Sequence, residues 1–274
     1  GRVKITENAE YAASVLEEET WGKQGHATHN RSKQKIIDHD LNFNTGDITE
    51  EEVRQYIRKT KRRKATGPDE IPIEFFKEML DNDGSMRQLT AALNIWWNEK
   101  EEIPDDMLQA RAVLIFKQGS TKDINNYRPI SLLNTITKMF AAILKQRIAE
   151  KIDEHLHKTQ YGFRANRSTQ HAIHIVRRLI ELGERKTSDK RTTREHNIQM
   201  ILLDWEKAFD KVDHEALHEA LDRMNIPPKY LNVIREIYKT ITFKIEIEGI
   251  ASEWKRQETG IRQGCPLSPY LFLI

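Results

Sequence analysis

Apolar residues that recur every third or fourth position predict helices along much of the chain. Thr49 followed by Glu52 forms a capping box, which predicts a helix through Val53 that ends before the Gly67-Pro68 pair. The same spacing predicts helices over residues 85–100 and 135–153, and helices that begin after Ser168, Asp213 and Pro227. Amphipathic helices therefore account for a large part of the predicted structure.

Short runs of β-branched and aromatic residues predict two pairs of strands. Arg111–Lys117 and Tyr127–Leu133 are joined by a polar loop and predict an antiparallel pair. The interval Thr240–Gly260 predicts two further strands that turn near Gly249. These runs add a β-rich component to the helices.

The apolar run Ile198–Leu203 predicts a buried strand that ends in Asp204, after a polar interval, Thr187–Glu195, that predicts a surface loop. An ionised carboxylate at a buried strand end is costly unless it is paired or binds a metal. Phosphoryl transfer uses divalent cations held mainly by aspartates, so Asp204 is a candidate metal ligand. A lone aspartate at such a position is more commonly a helix cap or a side chain that faces a loop.

Composition limits the classes of protein to which this sequence can belong. Its 274 residues, 38% of them hydrophobic, can bury a substantial core. No run approaches the roughly 18 apolar residues of a membrane span, and the first ten residues lack the apolar core of a secretion signal. We therefore expect an unsecreted protein that does not enter a membrane. Its single cysteine, Cys265, excludes an intramolecular disulfide and argues against structural zinc.

The net charge is only +2, so any affinity for nucleic acid must come from local clusters of charge. The run RQYIRKTKRRK, Arg54–Lys64, is strongly basic, and Tyr161–Glu195 holds nine Lys or Arg against four Asp or Glu. Either run could equally be a solvated face balanced by acids elsewhere. Charge alone does not decide between these interpretations.

Five segments, in this order, resemble motifs of the reverse transcriptases of non-LTR (LINE-type) retrotransposons. LLDWEKAFDKVDH, Leu202–His214, is similar to their first palm motif, and GIRQGCPLSPYLF, Gly260–Phe272, to their second. Upstream, NYRPISLL (Asn126–Leu133) and QYGFRANRS (Gln160–Ser168) resemble finger motifs, and KATGPDEIP (Lys64–Pro72) resembles the segment before them. The resemblance covers roughly residues 50–274.

The resemblance implies a role for each matching residue. Asp204 and the backbone carbonyl of Trp205 would hold Mg²⁺, or Mn²⁺ in its place, and the Phe209 ring would exclude a ribose 2′-hydroxyl. Lys117 and Arg128 would hold the triphosphate, and Gln263 and Gly264 would lie beside the nascent base pair. The remaining matches are template contacts at Gly162, Phe163, Arg164 and Arg167, and a turn shaped by Pro266 and Pro269. Among the other acids of the first palm motif, we assign Asp210 a supporting role and Asp213 a helix cap.

The resemblance also implies an α+β fold of the right-hand polymerase type. Its regions would be a helical N-terminal extension over 1–66, fingers over 67–190 and a partial palm over 191–274. Polymerases of this type complete the metal site with adjacent aspartates on a later hairpin, followed by a thumb. The sequence ends before both, so the chain alone is expected to be inactive.

The implied function is RNA-directed DNA polymerisation, with an RNA template, a DNA primer and dNTP as partners. The alternative is a noncatalytic fragment of a degraded or repurposed element that binds RNA or DNA without copying it. The basic run KRRK, Lys61–Lys64, could aid nuclear entry. A nuclear location is therefore expected from the resemblance and from this cluster.

Overall fold

The computed structural model describes residues 9–22, 34–187 and 199–274. Helices and strands both contribute, which is consistent with an α+β fold. In chain order the elements are α1 (Ala9–Val15), a π-helical turn (Leu16–Thr20), α2 (Glu50–Lys59), α3 (Ile73–Glu78), α4 (Asp83–Trp97), α5 (Asp105–Leu108), β1 (Gln109–Phe116), β2 (Tyr127–Leu133), α6 (Thr135–Ile152), α7 (Thr169–Thr187), α8 (His214–Arg223), α9 (Pro228–Lys239), β3 (Thr242–Ile247), β4 (Ile250–Ala251), β5 (Lys255–Arg256) and α10 (Ser268–Leu271).

The strands form one sheet in the order β2-β1-β3-β4, with β5 also paired to β3. β1 and β2 are antiparallel, as predicted, with Val113 opposite Ile130. β3 lies parallel to β1, which brings the predicted fingers and palm regions into the same sheet. The predicted turn near Gly249 is confirmed, and Glu248 and Gly249 both have the positive φ angles of a tight hairpin turn.

Local hydrogen bonds fix several helix starts where the sequence predicts them. The capping box at the start of α2 is present: the Thr49 side chain accepts from the Glu52 amide, and the Glu52 carboxylate accepts from the Thr49 amide at 2.8 Å. Asp213 caps α8 by accepting from the Ala216 amide at 2.7 Å. α9 begins at Pro228 and α7 directly after Ser168, both as predicted.

Two hydrophobic clusters lie in the structure. The larger joins α2, α4, α6, α8 and α9 to the second palm motif. The smaller is built from α1, Leu16 and Trp21 packed on side chains of β1 and β3, including Phe243 and Ile245. Residues 9–22 therefore form part of the packed structure beside the sheet. Among the described residues, no helix combines the length and the apolarity needed to cross a membrane.

The predicted buried strand before Asp204 is wrong where the structure describes it. Residues 199–205 have no regular secondary structure, and Leu202 is 88% exposed. A strand needs a free edge to pair with. No described strand pairs with this segment, although β2 lies at the edge of the sheet and is paired only to β1 among the described strands. The predicted polar loop before it lies, apart from its first residue, outside the described residues.

Candidate active-site cleft

A cleft of about 910 Å³ opens beside the ends of β1 and β2. We call it the cleft. It gathers side chains from four of the five motifs and from the N-terminal segment. Its lining residues are Glu19, Lys117, Asn125, Arg128, Phe163, Asp204, Trp205, Glu206, Lys207, Ala208, Phe209, Asp210, Gln263, Gly264 and Pro269. Most of the residues that the sequence selects as candidate site residues therefore lie around one space.

Backbone hydrogen bonds join the two palm motifs. The Gly260 amide donates to the Val212 carbonyl, and the Ile261 amide donates to the Phe209 carbonyl, both at 2.8 Å. Gly260 has a φ of +83°, and a Cβ there would lie 2.6 Å from the Asp210 carbonyl oxygen. Glycine is required at this position because any side chain would push the two motifs apart.

A second close approach docks the Gln263-Gly264 pair onto β2. The Ser131 amide donates to the Gln263 carbonyl at 2.7 Å. Gly264 has a φ of +124°, and a Cβ there would meet the Ser131 carbonyl oxygen at 2.4 Å. Gly264 thus allows a close backbone approach to β2, and its place beside the nascent base pair stays a prediction.

Asp210 is the buried carboxylate of the cleft. It is 5% exposed and accepts hydrogen bonds from the Trp21 indole at 3.1 Å and from the Gln263 side-chain amide at 3.1 and 3.0 Å. Burial raises the pKa of Asp210, although these hydrogen bonds and the charges of Lys207 and Lys117 oppose the shift. The supporting role predicted for Asp210 remains untested, but its contacts link three separate parts of the chain.

The stability of the Asp210→Asn variant relative to the wild type is expected to increase from pH 4 to pH 7. Because the folded-state pKa is raised, the stability tied to the bound proton is present below the ordinary aspartate pKa of about 4 and is lost as pH rises through the raised pKa. The asparagine side chain cannot ionise, so the stability of the variant relative to the wild type should decrease toward pH 4. Guanidinium unfolding of both proteins between pH 4 and pH 7 measures the difference. A wild type that gains stability over the variant as pH rises would contradict the expected sign.

Asp204 and Trp205 line the cleft but are exposed, with Trp205 at 78%. The burial argument for a metal ligand thus does not apply to Asp204, because the strand that would bury it is absent. Its carboxylate and the neighbouring backbone carbonyl are still suitable oxygen donors for Mg²⁺. No group of three His, Cys, Asp or Glu residues suited to a metal occurs within the described ranges. The donors present thus fit one part of a metal site.

Phe209 stands in an aromatic group at the cleft wall. Its ring stacks on Phe272 with centroids 4.9 Å apart and meets Phe163 edge-on at 5.8 Å. Phe163 is 56% exposed and has a φ of +59°, which is uncommon for a bulky residue. These contacts hold the Phe209 ring in place on two sides.

Cations line another part of the cleft. Lys117 and Arg128 are both exposed and lie at neighbouring ends of β1 and β2. Lys207 joins two other parts of the chain, because its ammonium donates to the Asn125 side chain at 2.9 Å and to the Thr20 hydroxyl at 3.2 Å. The exposed side chains of Lys117 and Arg128 line the same cleft as the Asp204 carboxylate, and cations of this kind suit a ligand that carries phosphate groups.

The predicted template residues divide between two environments. Phe163 lines the cleft, and the Arg167 guanidinium lies 5.9 Å from the centre of the Tyr161 ring. Arg164 is 7% exposed and donates to the Asp153 carboxylate at 3.1 and 2.8 Å and to the His157 carbonyl at 3.1 Å. The ion pair lowers the pKa of Asp153. The guanidinium of Arg164 is thus committed to a buried ion pair, which does not favour the predicted template contact.

Besides Arg164 and Arg167, two predicted residues do not line the cleft. Gly162 does not line it, and its carbonyl accepts from the Gln160 side chain at 3.3 Å. Pro266 lines a separate groove between α2 and α6, whereas Pro269 does line the cleft. The turn that these prolines were expected to shape therefore faces two different grooves.

Sequence reasoning missed Trp21, Asn125 and Lys207. Asn125 and Lys207 line the cleft and are joined to each other by a hydrogen bond. Trp21 lies far from every motif along the chain and reaches Asp210 only through the tertiary fold. The alanine-rich apolar stretch before Trp21 could have indicated a buried helix, but nothing in it points to a role beside the cleft.

Comparison with known proteins identifies the family of this chain. Residues 115–274 match the family described as Reverse transcriptase (RNA-dependent DNA polymerase). The match covers more than half of the chain, and this protein therefore belongs to the reverse transcriptase family. Its relatives are proteins of non-LTR retrotransposons, as the motifs indicated.

Three relatives illustrate the match. The chain is 30% identical to the transposon TX1 149 kDa protein of Xenopus laevis over 82% of its length. It is 30% identical to the Pol polyprotein of the type-1 retrotransposable element R2 of Nasonia vitripennis over 62% of its length. It is 27% identical to the RNA-directed DNA polymerase from the mobile element jockey of Drosophila melanogaster over 83% of its length. The chain spans 16%, 16% and 24% of these proteins, respectively.

Proposed function

We propose that this chain forms the fingers and part of the palm of an RNA-directed DNA polymerase, which adds dNTP to a primer 3′-hydroxyl opposite an RNA template. The observation that carries the proposal is the cleft. Residues from two finger motifs and two palm motifs, separated along the chain, line this one space. Two relatives from mobile elements support the same activity, because one is named as a Pol polyprotein and the other as an RNA-directed DNA polymerase.

The cleft residues suit the steps of nucleotidyl transfer. Lys117 and Arg128 would neutralise the triphosphate, and the Asp204 carboxylate with the Trp205 carbonyl would hold one side of a Mg²⁺ or Mn²⁺ ion. Such an ion, when bound, would stabilise the negative charge that develops on the transferring phosphate. The Gln263 side chain would contact the incoming nucleotide.

The experiment is primer extension on an RNA template with Mg²⁺. It compares this chain with an extended polypeptide in which the chain is followed by the remainder of a reverse transcriptase domain. We expect incorporation by the extended polypeptide alone, because the proposed right-hand architecture requires a completed palm and a thumb. Absence of incorporation in both, with RNA binding retained, would contradict the proposal.

A noncatalytic nucleic-acid-binding role is the second candidate. It is favoured by the small number of carboxylates in the cleft that are placed to bind a metal. The Asp204 side chain is exposed, and the Asp210 carboxylate already accepts hydrogen bonds from Trp21 and Gln263. On this alternative, RNA binding by the chain survives Asp204→Ala, and no extended version polymerises. Under the polymerase proposal, the same substitution abolishes incorporation in the extended polypeptide.

Phe209→Val is expected to relax the choice of sugar. An aromatic ring beneath the sugar leaves no space for a 2′-hydroxyl, and the contacts with Phe272 and Phe163 prevent it from moving aside. The ratio of dNTP to rNTP incorporation by the extended polypeptide should fall on the order of tenfold to a hundredfold. Phe75→Val, at an exposed phenylalanine on α3, is the matched control. An unchanged ratio would rule out Phe209 as the selecting residue.

A further inference from the structure

The segment at residues 9–22 is joined through Trp21 to β3, to the first palm motif and to the two residues that precede the second palm motif. The Trp21 side chain is 2% exposed, and its ring meets Phe243 of β3 edge-on at 4.4 Å. Its backbone carbonyl accepts from the amides of Glu258 at 2.9 Å and Thr259 at 3.1 Å. Trp21 is thus held by its ring and its backbone independently of its indole N–H.

The indole N–H of Trp21 donates a hydrogen bond to Oδ1 of Asp210 at 3.1 Å. The same carboxylate accepts from Nε2 of Gln263 at 3.1 Å on one oxygen and 3.0 Å on the other. Asp210 therefore joins the N-terminal segment to a residue that lines the cleft.

This arrangement sets the orientation of the Gln263 amide. An ionised carboxylate only accepts hydrogen bonds, so the Gln263 NH₂ must face Asp210, and the carbonyl Oε1 must point away from it. A protonated or amide side chain at position 210 could donate and would allow the Gln263 amide to turn over. Burial raises the pKa of Asp210, and the Trp21 N–H opposes this shift, because a hydrogen bond to the charged form stabilises it.

We propose that Trp21 is a positioning residue for the cleft: through Asp210 it holds the Gln263 amide so that its carbonyl oxygen is presented to the bound nucleotide. The oxygen would accept from a hydrogen-bond donor of that nucleotide. The inference rests on the proposed function, in that a dNTP occupies the cleft. It assigns part of the nucleotide site to a segment that precedes all five motifs.

The test uses Trp21→Phe in the full chain, because phenylalanine keeps an aromatic ring against Phe243 and removes the indole N–H, although its smaller ring also leaves part of the buried site unfilled. Titration calorimetry with dGTP and Mg²⁺ should show binding weakened roughly tenfold, since a hydrogen bond to a charged group is involved. Trp254→Phe, at a half-exposed tryptophan stacked near Lys244, is the matched control and should bind as the wild type does. Equal affinities of Trp21→Phe and Trp254→Phe would overturn the proposal.

A second measurement does not depend on nucleotide binding. In ¹⁵N-labelled chain, the Gln263 side-chain amide, assigned by its loss in Gln263→Ala, should be shifted from free-amide values and should move toward them in Trp21→Phe. Asp210→Asn should produce the same change, and the double variant should add nothing further. If Trp21→Phe does not fold, Asp210→Asn decides, and an unchanged Gln263 amide overturns the proposal.

The two measurements separate the possible failures. Wild-type chain that binds dGTP, with a Gln263 amide insensitive to Trp21→Phe and Asp210→Asn, would refute the positioning role and leave the proposed function standing. Wild-type chain that does not bind dGTP, with an extended polypeptide that does not polymerise, would refute the proposed function. In that case, the amide signal alone decides whether Trp21 orients Gln263.

Discussion

Asp204→Ala should lower dNTP incorporation by the extended polypeptide on the order of 10³-fold, because it removes an oxygen donor from the proposed metal ion. Asp204 is exposed in the cleft, so the stability of the fold should change by less than about 0.5 kcal/mol. Single-turnover primer extension with saturating Mg²⁺ measures the first effect, and guanidinium unfolding measures the second. A large loss of activity without loss of stability would distinguish a chemical role from a structural one.

Asp81→Ala is the matched control for this experiment, because Asp81 is an exposed carboxylate in the turn after α3. It should leave both incorporation and stability near the wild-type values. If Asp204→Ala retained incorporation within a fewfold of this control, Asp204 would not be a metal ligand. The second candidate function would then gain support, provided that RNA binding persisted.

Arg164→Ala is expected to cost about 2 kcal/mol of unfolding free energy, because it leaves the partly exposed Asp153 carboxylate and the His157 carbonyl without their buried donor. The Arg164 side chain is 4% exposed, and its guanidinium bridges Asp153 and the His157 carbonyl. The Tyr270 hydroxyl, from α10, also donates to Asp153, at 3.3 Å. The substitution should therefore loosen the contact between the second finger motif and the second palm motif. Denaturant unfolding of the chain measures the loss.

Arg167→Ala provides the contrast, since Arg167 is half-buried and lies against Tyr161. It should leave stability nearly unchanged and should reduce the salt dependence of RNA binding by about one phosphate contact. Should Arg164→Ala instead keep full stability and lose RNA binding, the buried ion pair would be secondary to a template contact. The pair of substitutions thus separates a structural arginine from a nucleic-acid-binding one within one motif.

Short-range features of the sequence predicted much of the fold. The capping box at Thr49, the N-cap at Asp213 and the start of α9 after Pro227 all lie where the sequence places them. Each depends on hydrogen bonds or dihedral preferences within about four residues, which local sequence specifies. The turn at Gly249 was predictable for the same reason. The β1-β2 pair was predictable because two strand-forming runs that follow each other along the chain commonly pair antiparallel.

Predictions that required a distant partner were less successful. The apolar run before Asp204 has the composition of a strand, yet residues 199–205 are irregular and exposed, and no described strand pairs with them. Burial was expected at Asp204 and is found at Asp210 instead. Arg164 was expected to face a template and is held by Asp153. For Asp210 and Arg164, the partners lie elsewhere in the sequence.

By itself, the sequence determined the family, the order of the motifs and the helices and turns stabilised by neighbouring residues, because these depend on residue type at fixed local spacing. Only the tertiary structure decided which motif residues share the cleft, which carboxylate is buried and that Trp21 reaches Asp210 across 189 positions of sequence. The physical reason is that burial and long-range hydrogen bonds depend on where separate elements pack. The spacing of residues along the chain does not specify that packing.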